Sequence, residues 1–329
     1  MTRRVLIIAA QAAVSVAALA WLLRGLDTHA LARLLVTLPS SFYLVSLGVV
    51  VAGQVLYAWR WWLLLRAAGA NVRLTMAIRY YIIGIFANNF LPSTVGGDAM
   101  KVYYLGREHG YRTILASVVV DRLIGLGSLA VLAFGASWFV PAMSARFVAL
   151  RLIVTLAAAA SCAVIALAMV GTGGLQRWAS PLGGTVEKLA GKLQRLRREM
   201  ALLLRRPRVV AYGFGVVLVY FLTLSLVYAW FAAISGPARP PLVAIFAAVS
   251  MTGVLSNVPI ALNGLGVREQ LHAWLFVPLG VPKEVAVAIS LLLFGHILLT
   301  SVGGGVLWLM EPAATAGKEA AAEAAEPTL

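Results

Sequence analysis

Apolar residues in this chain fall in long blocks. Six of them are long enough to cross about 30 Å of hydrocarbon as helices: Val5–Leu23, Phe42–Leu65, Ile114–Val140, Leu150–Val170, Val209–Ile234 and Val285–Met310. Two further blocks, Met76–Leu91 and Leu242–Val258, are cut short. The first runs into NNFLPSTVGGDAMK, from Asn88 to Lys101, and the second into SNVPIALNGLGVREQ, from Ser256 to Gln270. Each knot has an asparagine, then a proline, then glycines, then a carboxylate opening a short helical stretch. These are Asn89, Pro92, Gly96, Gly97 and Asp98 in one, and Asn257, Pro259, Gly264, Gly266 and Glu269 in the other. The proline-to-carboxylate spacings differ, so the internal repeat is weak.

Such a knot inside an apolar domain has a physical requirement. Unpaired backbone in lipid costs several kcal/mol per group, so non-helical backbone persists only when buried in protein or lining a cavity. Each interrupted block therefore reads as a re-entrant hairpin that dips in and returns to the same side. The predicted fold is an all-α polytopic membrane protein with six full spans and two re-entrant helical hairpins. Residues 1–149 and 150–312 form two units of two spans, a hairpin and a third span. Three crossings per unit is odd, so the second unit is inverted relative to the first. Inverted repeats with broken helices meeting near the midplane are an architecture of secondary transporters.

Composition agrees with a single membrane domain over 1–312 and a disordered tail over 313–329. Of 329 residues, 61% are hydrophobic and only 12% charged, against roughly 25% charged in soluble domains. Charge placement then sets orientation. The formal net charge is +15, and nine basic residues crowd between Arg177 and Arg208. Flanking spans and few aromatics argue against nucleic acid; the positive-inside rule makes this segment, about 172–208, cytoplasmic. Both termini then lie in the cytoplasm. MTRR and the run after it are read as a retained first span, not as a signal peptide. Leu189, Leu193, Leu196, Met200 and Leu203 form an apolar stripe. It suits a helix lying on the inner leaflet, or one packed on the protein itself. Cys162 lies in an apolar run, so no disulfide or cysteine metal site is available. His29, His109, His272 and His296 lack zinc-ligand spacing.

The candidate site residues are polar groups at membrane depth. Half-helix N-termini after the knots attract anions, and Lys101 and Arg268 add positive charge. Asp98 has a plainer reading as a helix cap. Asp121 and Arg122 fall within a full span, read as an ion pair that is either functional or fixes helix packing. Ser117, Asp121, Gly125 and Ser128 share one helix face. Glu269 and His272 are three apart, Arg268 and His272 four apart, so they are surface neighbours. If the hairpins meet, both carboxylates approach one cavity. His296, four before Thr300, reads as a packed hydrogen bonder or a proton carrier, and the GHILLTSVGGG stretch as small-residue helix packing. Arg60, Trp61 and Trp62 read as an interfacial anchor.

NNFLPSTVGGDAMKVYYL, SVVVDRLIGL, YAWRWW and SNVPIALNGLGVREQ resemble the motifs of the lysylphosphatidylglycerol synthase transmembrane-region family, also called flippase-like membrane proteins. The resemblance runs from about Val5 to Met310. It implies movement of a lipid between leaflets; in bifunctional relatives a soluble aminoacyl-transferase domain follows, whereas here GKEAAAEAAEPTL follows. The expectation is a bacterial inner-membrane protein that translocates an anionic phospholipid or lipid-linked headgroup, without cofactor or metal and without enzymatic activity. Asn89, Gly97, Asp98, Lys101, Asp121, Arg122, Asn257, Gly264, Gly266, Arg268, Glu269 and His272 would bind the substrate. The alternative is a non-transporting membrane subunit that docks a glycosyltransferase or other lipid-modifying enzyme through the basic segment. A membrane-embedded lipid enzyme is a third reading, with no nucleophile–base pair or metal cluster behind it.

Overall fold

The computed structural model describes residues 20, 21, 24, 26–90, 96–140, 148–170, 184–257 and 264–311. Among these the regular structure is entirely helical, with no strand. In chain order the helices are α1 (Thr28–Thr37), α2 (Ser40–Ala67), α3 (Leu74–Phe90), α4 (Gly96–His109), α5 (Tyr111–Ser137) and α6 (Val148–Met169). They continue with α7 (Gly184–Leu204), α8 (Pro207–Ser235), α9 (Leu242–Leu255), α10 (Val267–Phe276) and α11 (Lys283–Leu309).

Among the described residues five helices are long and apolar enough to cross a membrane: α2, α5, α6, α8 and α11. Each coincides with one of the predicted spans to within three residues at either end. The predicted first span, Val5–Leu23, lies largely outside the described residues, as do the tail over 313–329 and the knot residues 91–95 and 258–263. The interrupted blocks end where expected. Helix α3 has 17 residues and α9 has 14, followed by α4 with 14 and α10 with 10. At 1.5 Å per residue these helices are about 15 to 26 Å long, short of the hydrocarbon thickness.

Local chemistry sets the helix ends. Asp27 caps α1, accepting from the His29 and Ala30 amides at 2.9 Å each. Prolines open α2, α8, α9 and α11, where a missing N–H costs nothing. Gly266 precedes α10 at φ 82°, a left-handed conformation that glycine adopts freely.

Helices α5 and α11 are the most deeply buried spans and form the centre. The packing is reciprocal. Interrupted helix α3 lies against α11, and interrupted helix α9 lies against α5, while α2 packs on α8. Small residues permit the closest approaches. A Cβ on Gly97 would land on the Gly84 carbonyl, and one on Gly304 on the Ile82 carbonyl. The GHILLTSVGGG stretch is thus a packing surface at Gly304 and Gly305, whereas Gly303 faces open space. Leucines on the outer faces of α6 and α8, such as Leu152, Leu156, Leu222 and Leu226, are exposed, as lipid-facing side chains are.

Helix α7 bears out the reading of the basic segment as a helix packed on the protein. It packs on α5 and α6, burying Ala190, Leu203 and Leu204. Leu193 and Leu202 remain exposed, beside exposed Lys192, Arg195 and Arg198. Arg197 and Arg205 donate to the Val170 and Met169 carbonyls, satisfying the free end of α6.

Candidate functional site

The start of α4 brings the first candidates together. Asp98 sits in its first turn and Lys101 one turn later, both buried. Lys101 Nζ donates to Asp98 Oδ1 at 3.3 Å. It also lies 4.2 Å from the centre of the Tyr81 ring and 5.1 Å from that of Trp61, where ring faces attract a cation. The second Asp98 oxygen takes a hydrogen bond from Arg122 Nε on α5. One carboxylate therefore serves two cations. The close packing of Gly97 on Gly84, with the Gly97 amide donating to Asn88 Oδ1 at 2.8 Å, fixes this turn against α3.

A second ion pair lies beside the first. Arg60 Nε on α2 donates to Asp121 Oδ1 on α5 at 2.7 Å, and its Nη2 donates to the Asp121 carbonyl at 3.3 Å. Arg60 is 5% exposed and Asp121 6%. The guanidinium also stacks 4.6 Å over Tyr57. These results correct two sequence readings. Arg60 is not an interfacial anchor, because α2 runs on to Ala67 and leaves it inside the bundle. Asp121 and Arg122 are not paired with each other. Adjacent helix residues point about 100° apart, so each takes a partner from a different helix.

Both pairs open into one cavity of about 380 Å³, lined by Arg60, Lys101, Arg122, Asp98 and Asp121 with Tyr57, Tyr81, Asn88 and Asn257. Asn257 holds the Gly253 carbonyl at 2.7 Å. Asn88 takes the lining place expected of Asn89, whose Nδ2 turns back to the Ile85 carbonyl at 3.0 Å.

The second knot builds a separate cluster. Glu269 is fully buried. Its Oε2 accepts from the Gly266 amide at 2.7 Å, closing the start of α10. Its Oε1 accepts from Arg268 Nε at 3.1 Å and from Ser290 Oγ at 3.1 Å. Arg268 lies 4.4 Å over Phe294. His272 does not bond the Glu269 or Arg268 side chains, although helical spacing makes them neighbours. Its Nδ1 donates to the Arg268 carbonyl at 2.8 Å, and the Tyr228 hydroxyl meets its Nε2 at 2.6 Å. Gly264, at φ 73°, sits against Ser256.

Contrary to the sequence reading, which brought both carboxylates to one cavity, the two clusters line separate cavities. Arg268, His272 and Ser290 line a second, mostly apolar cavity of about 160 Å³. Tyr220 and Phe221 of α8, with Gly253 of α9, wall both cavities. Tyr220 lies directly on Gly53 of α2. Bulky rings at this crossing keep the clusters apart, and no local sequence pattern announces them.

His296 keeps Nδ1 without a hydrogen-bond partner, and Thr300 accepts from Gln54 at 2.7 Å. Neither lines the first cavity.

The sequence matches a known family. Residues 8–304 match the lysylphosphatidylglycerol synthase TM region. The chain is 22% identical over 308 residues to the UPF0104 membrane protein PH1989 of Pyrococcus horikoshii, covering 83% of this chain and 88% of that one. It is 24% identical over 277 residues to a UPF0104 membrane protein of Methanothermobacter thermautotrophicus, covering 76% and 78%. No solved structure matches the chain. A polytopic helical protein with two interrupted helices and this match along nearly its full length belongs to the lysylphosphatidylglycerol synthase TM region family.

Proposed function

We propose that this protein moves an anionic phospholipid or lipid-linked headgroup between the leaflets of a cytoplasmic membrane. The observation that carries the reading is the first cavity. Three cations and two carboxylates line it, inside a bundle whose outer helices are apolar. Charge at such depth is expensive, and intramembrane charged groups commonly mark substrate pathways. The aromatic-walled apolar cavity alongside offers a less polar neighbour for the rest of a lipid. The reading needs no cofactor and assigns the chain no reaction to catalyse.

The architecture fits the same reading. We take α3–α4 and α9–α10 as re-entrant hairpins in two inverted units, 1–149 and 150–312. Reciprocal packing of α3 on α11 and of α9 on α5 is what a two-fold axis in the membrane plane produces. The arrangement predicts sidedness. Single cysteines at Arg73 and Arg107, with Cys162 replaced, should resist an impermeant maleimide in intact cells. Cysteines at Gly236 and Lys283 should react. Strong outside labelling at 73 or 107 would contradict the inversion and the cytoplasmic placement of the N-terminus.

Transport itself is tested with the full chain in vesicles carrying a headgroup-matched fluorescent lipid in both leaflets. A membrane-impermeant reductant quenches only the outer pool. Quenching beyond about half of the signal, dependent on the protein, is the expected result; quenching that stops at the outer pool contradicts transport. The exposed basic residues on α7 favour the docking-subunit reading as the second choice, and a stable complex with a lipid-modifying enzyme lost on Lys192, Arg195 and Arg198 neutralisation would support it.

A further inference from the structure

The charges lining the first cavity do not balance. Among the described lining residues the ionised groups are Arg60, Lys101 and Arg122 against Asp98 and Asp121, which leaves one positive charge in excess. Residues 91–95 and 258–263 contain no ionisable residue in the sequence. The carboxylates are already engaged: Asp98 takes Lys101 and Arg122 on its two oxygens, and Asp121 takes Arg60. Among the described residues, Arg60 Nη1 is buried and makes no hydrogen bond. Gly125, which lines the same cavity, lies against that guanidinium: a Cβ there would sit 3.2 Å from Nη2 and 3.3 Å from Nη1.

We infer that this cavity is a binding site for a singly charged phosphodiester, with Arg60 as a ligand-binding residue held by Asp121. The inference deepens the lipid-translocation reading and rests on it for the lipid as the source of the group. A monoanion neutralises the excess charge; a phosphomonoester, with about −1.5 to −2 at pH 7, overshoots it. Two guanidinium groups and an ammonium present more donors than a carboxylate has oxygens to meet, and planar guanidinium forks suit phosphate geometry. A headgroup that also carries an amine finds both carboxylates occupied. The preferred ligand is therefore a phosphodiester without a free amine.

The test is native mass spectrometry of the purified full chain in detergent. The probes are dioleoyl-phosphatidylglycerol, dioleoyl-phosphatidate at about pH 8.5, dioleoyl-phosphatidylcholine and oleate. Wild type should retain phosphatidylglycerol about tenfold better than each of the others. Asp121→Asn raises the excess charge to two while keeping an oxygen for Arg60, and should shift the ratio towards phosphatidate by about tenfold. Lys101→Gln removes the excess and should lose phosphatidylglycerol; it decides the matter if Asp121→Asn does not fold. Equal retention of all four lipids, or ratios unmoved by both variants, would overturn the inference. Soluble glycerophosphoglycerol that displaces the lipid supports the diester chemistry, while inorganic phosphate that displaces it more strongly overturns it. Selective binding without movement in vesicles would leave this site standing and remove the transport reading. Movement without selectivity would do the reverse.

Discussion

Asp98→Asn should reduce lipid translocation in vesicles by about tenfold or more, equivalent to at least ~1.4 kcal/mol, with folded protein still in the membrane. Asp98 accepts from Lys101 on one oxygen and from Arg122 on the other. Asparagine keeps the shape but not the charge, and it has one acceptor oxygen for two donors. Both cations then lose their shared counter-charge, and the cavity holds its headgroup too tightly or in the wrong place. The helix-capping reading of Asp98 predicts a different outcome. Asparagine is as good a cap as aspartate, so a mere capping group would leave translocation unchanged. The rate of leaflet exchange, normalised to reconstituted protein, separates the two.

The second large effect concerns stability. Arg60→Leu should destabilise the bundle by about 3–5 kcal/mol, because it strands the buried Asp121 carboxylate without its partner. Replacing both, as Arg60→Leu with Asp121→Leu, should recover most of that loss, since a buried pair exchanged for apolar groups is often neutral or better. Thermal unfolding in one detergent, with the four proteins of the cycle, measures the coupling. A double variant as unstable as the single one would mean that the pair is not the reason Arg60 is tolerated there. The double variant should still fail to translocate lipid, which separates the role of Arg60 in folding from its role in the cavity.

The helices were legible wherever the signal is local. Phe42–Leu65 and Val209–Ile234 follow from apolar length alone, since backbone bonds in lipid must be closed within the segment. The ends of the helices at Phe90 and Leu255 fall just before the prolines and glycines of the sequence that favour such ends. Asp98, Lys101 and Glu269 stood out because charge is rare at that depth. Partner choice was not legible. Arg60 and Asp121 are 61 residues apart in sequence, and the tryptophans around Arg60 imitate an interfacial belt. Helical spacing put His272 beside Glu269, but it could not show that a Tyr228 hydroxyl from α8 would claim the ring. The division into two cavities depends on Tyr220 and Phe221, which look like any other aromatic residues of a span. A wide apolar block marks a span; it does not mark which face turns inward. The hydrophobic pattern is too uniform for that, and the inward face is chosen by packing.

The central claim is that the cation-rich cavity takes the headgroup of an anionic lipid. Mass spectrometry of the lipids that co-purify with the full chain tests it most directly. The prediction is enrichment of anionic phosphodiester lipids over their share in the source membrane, lost in Lys101→Gln. Bound lipids that mirror the bulk membrane in both proteins would contradict it.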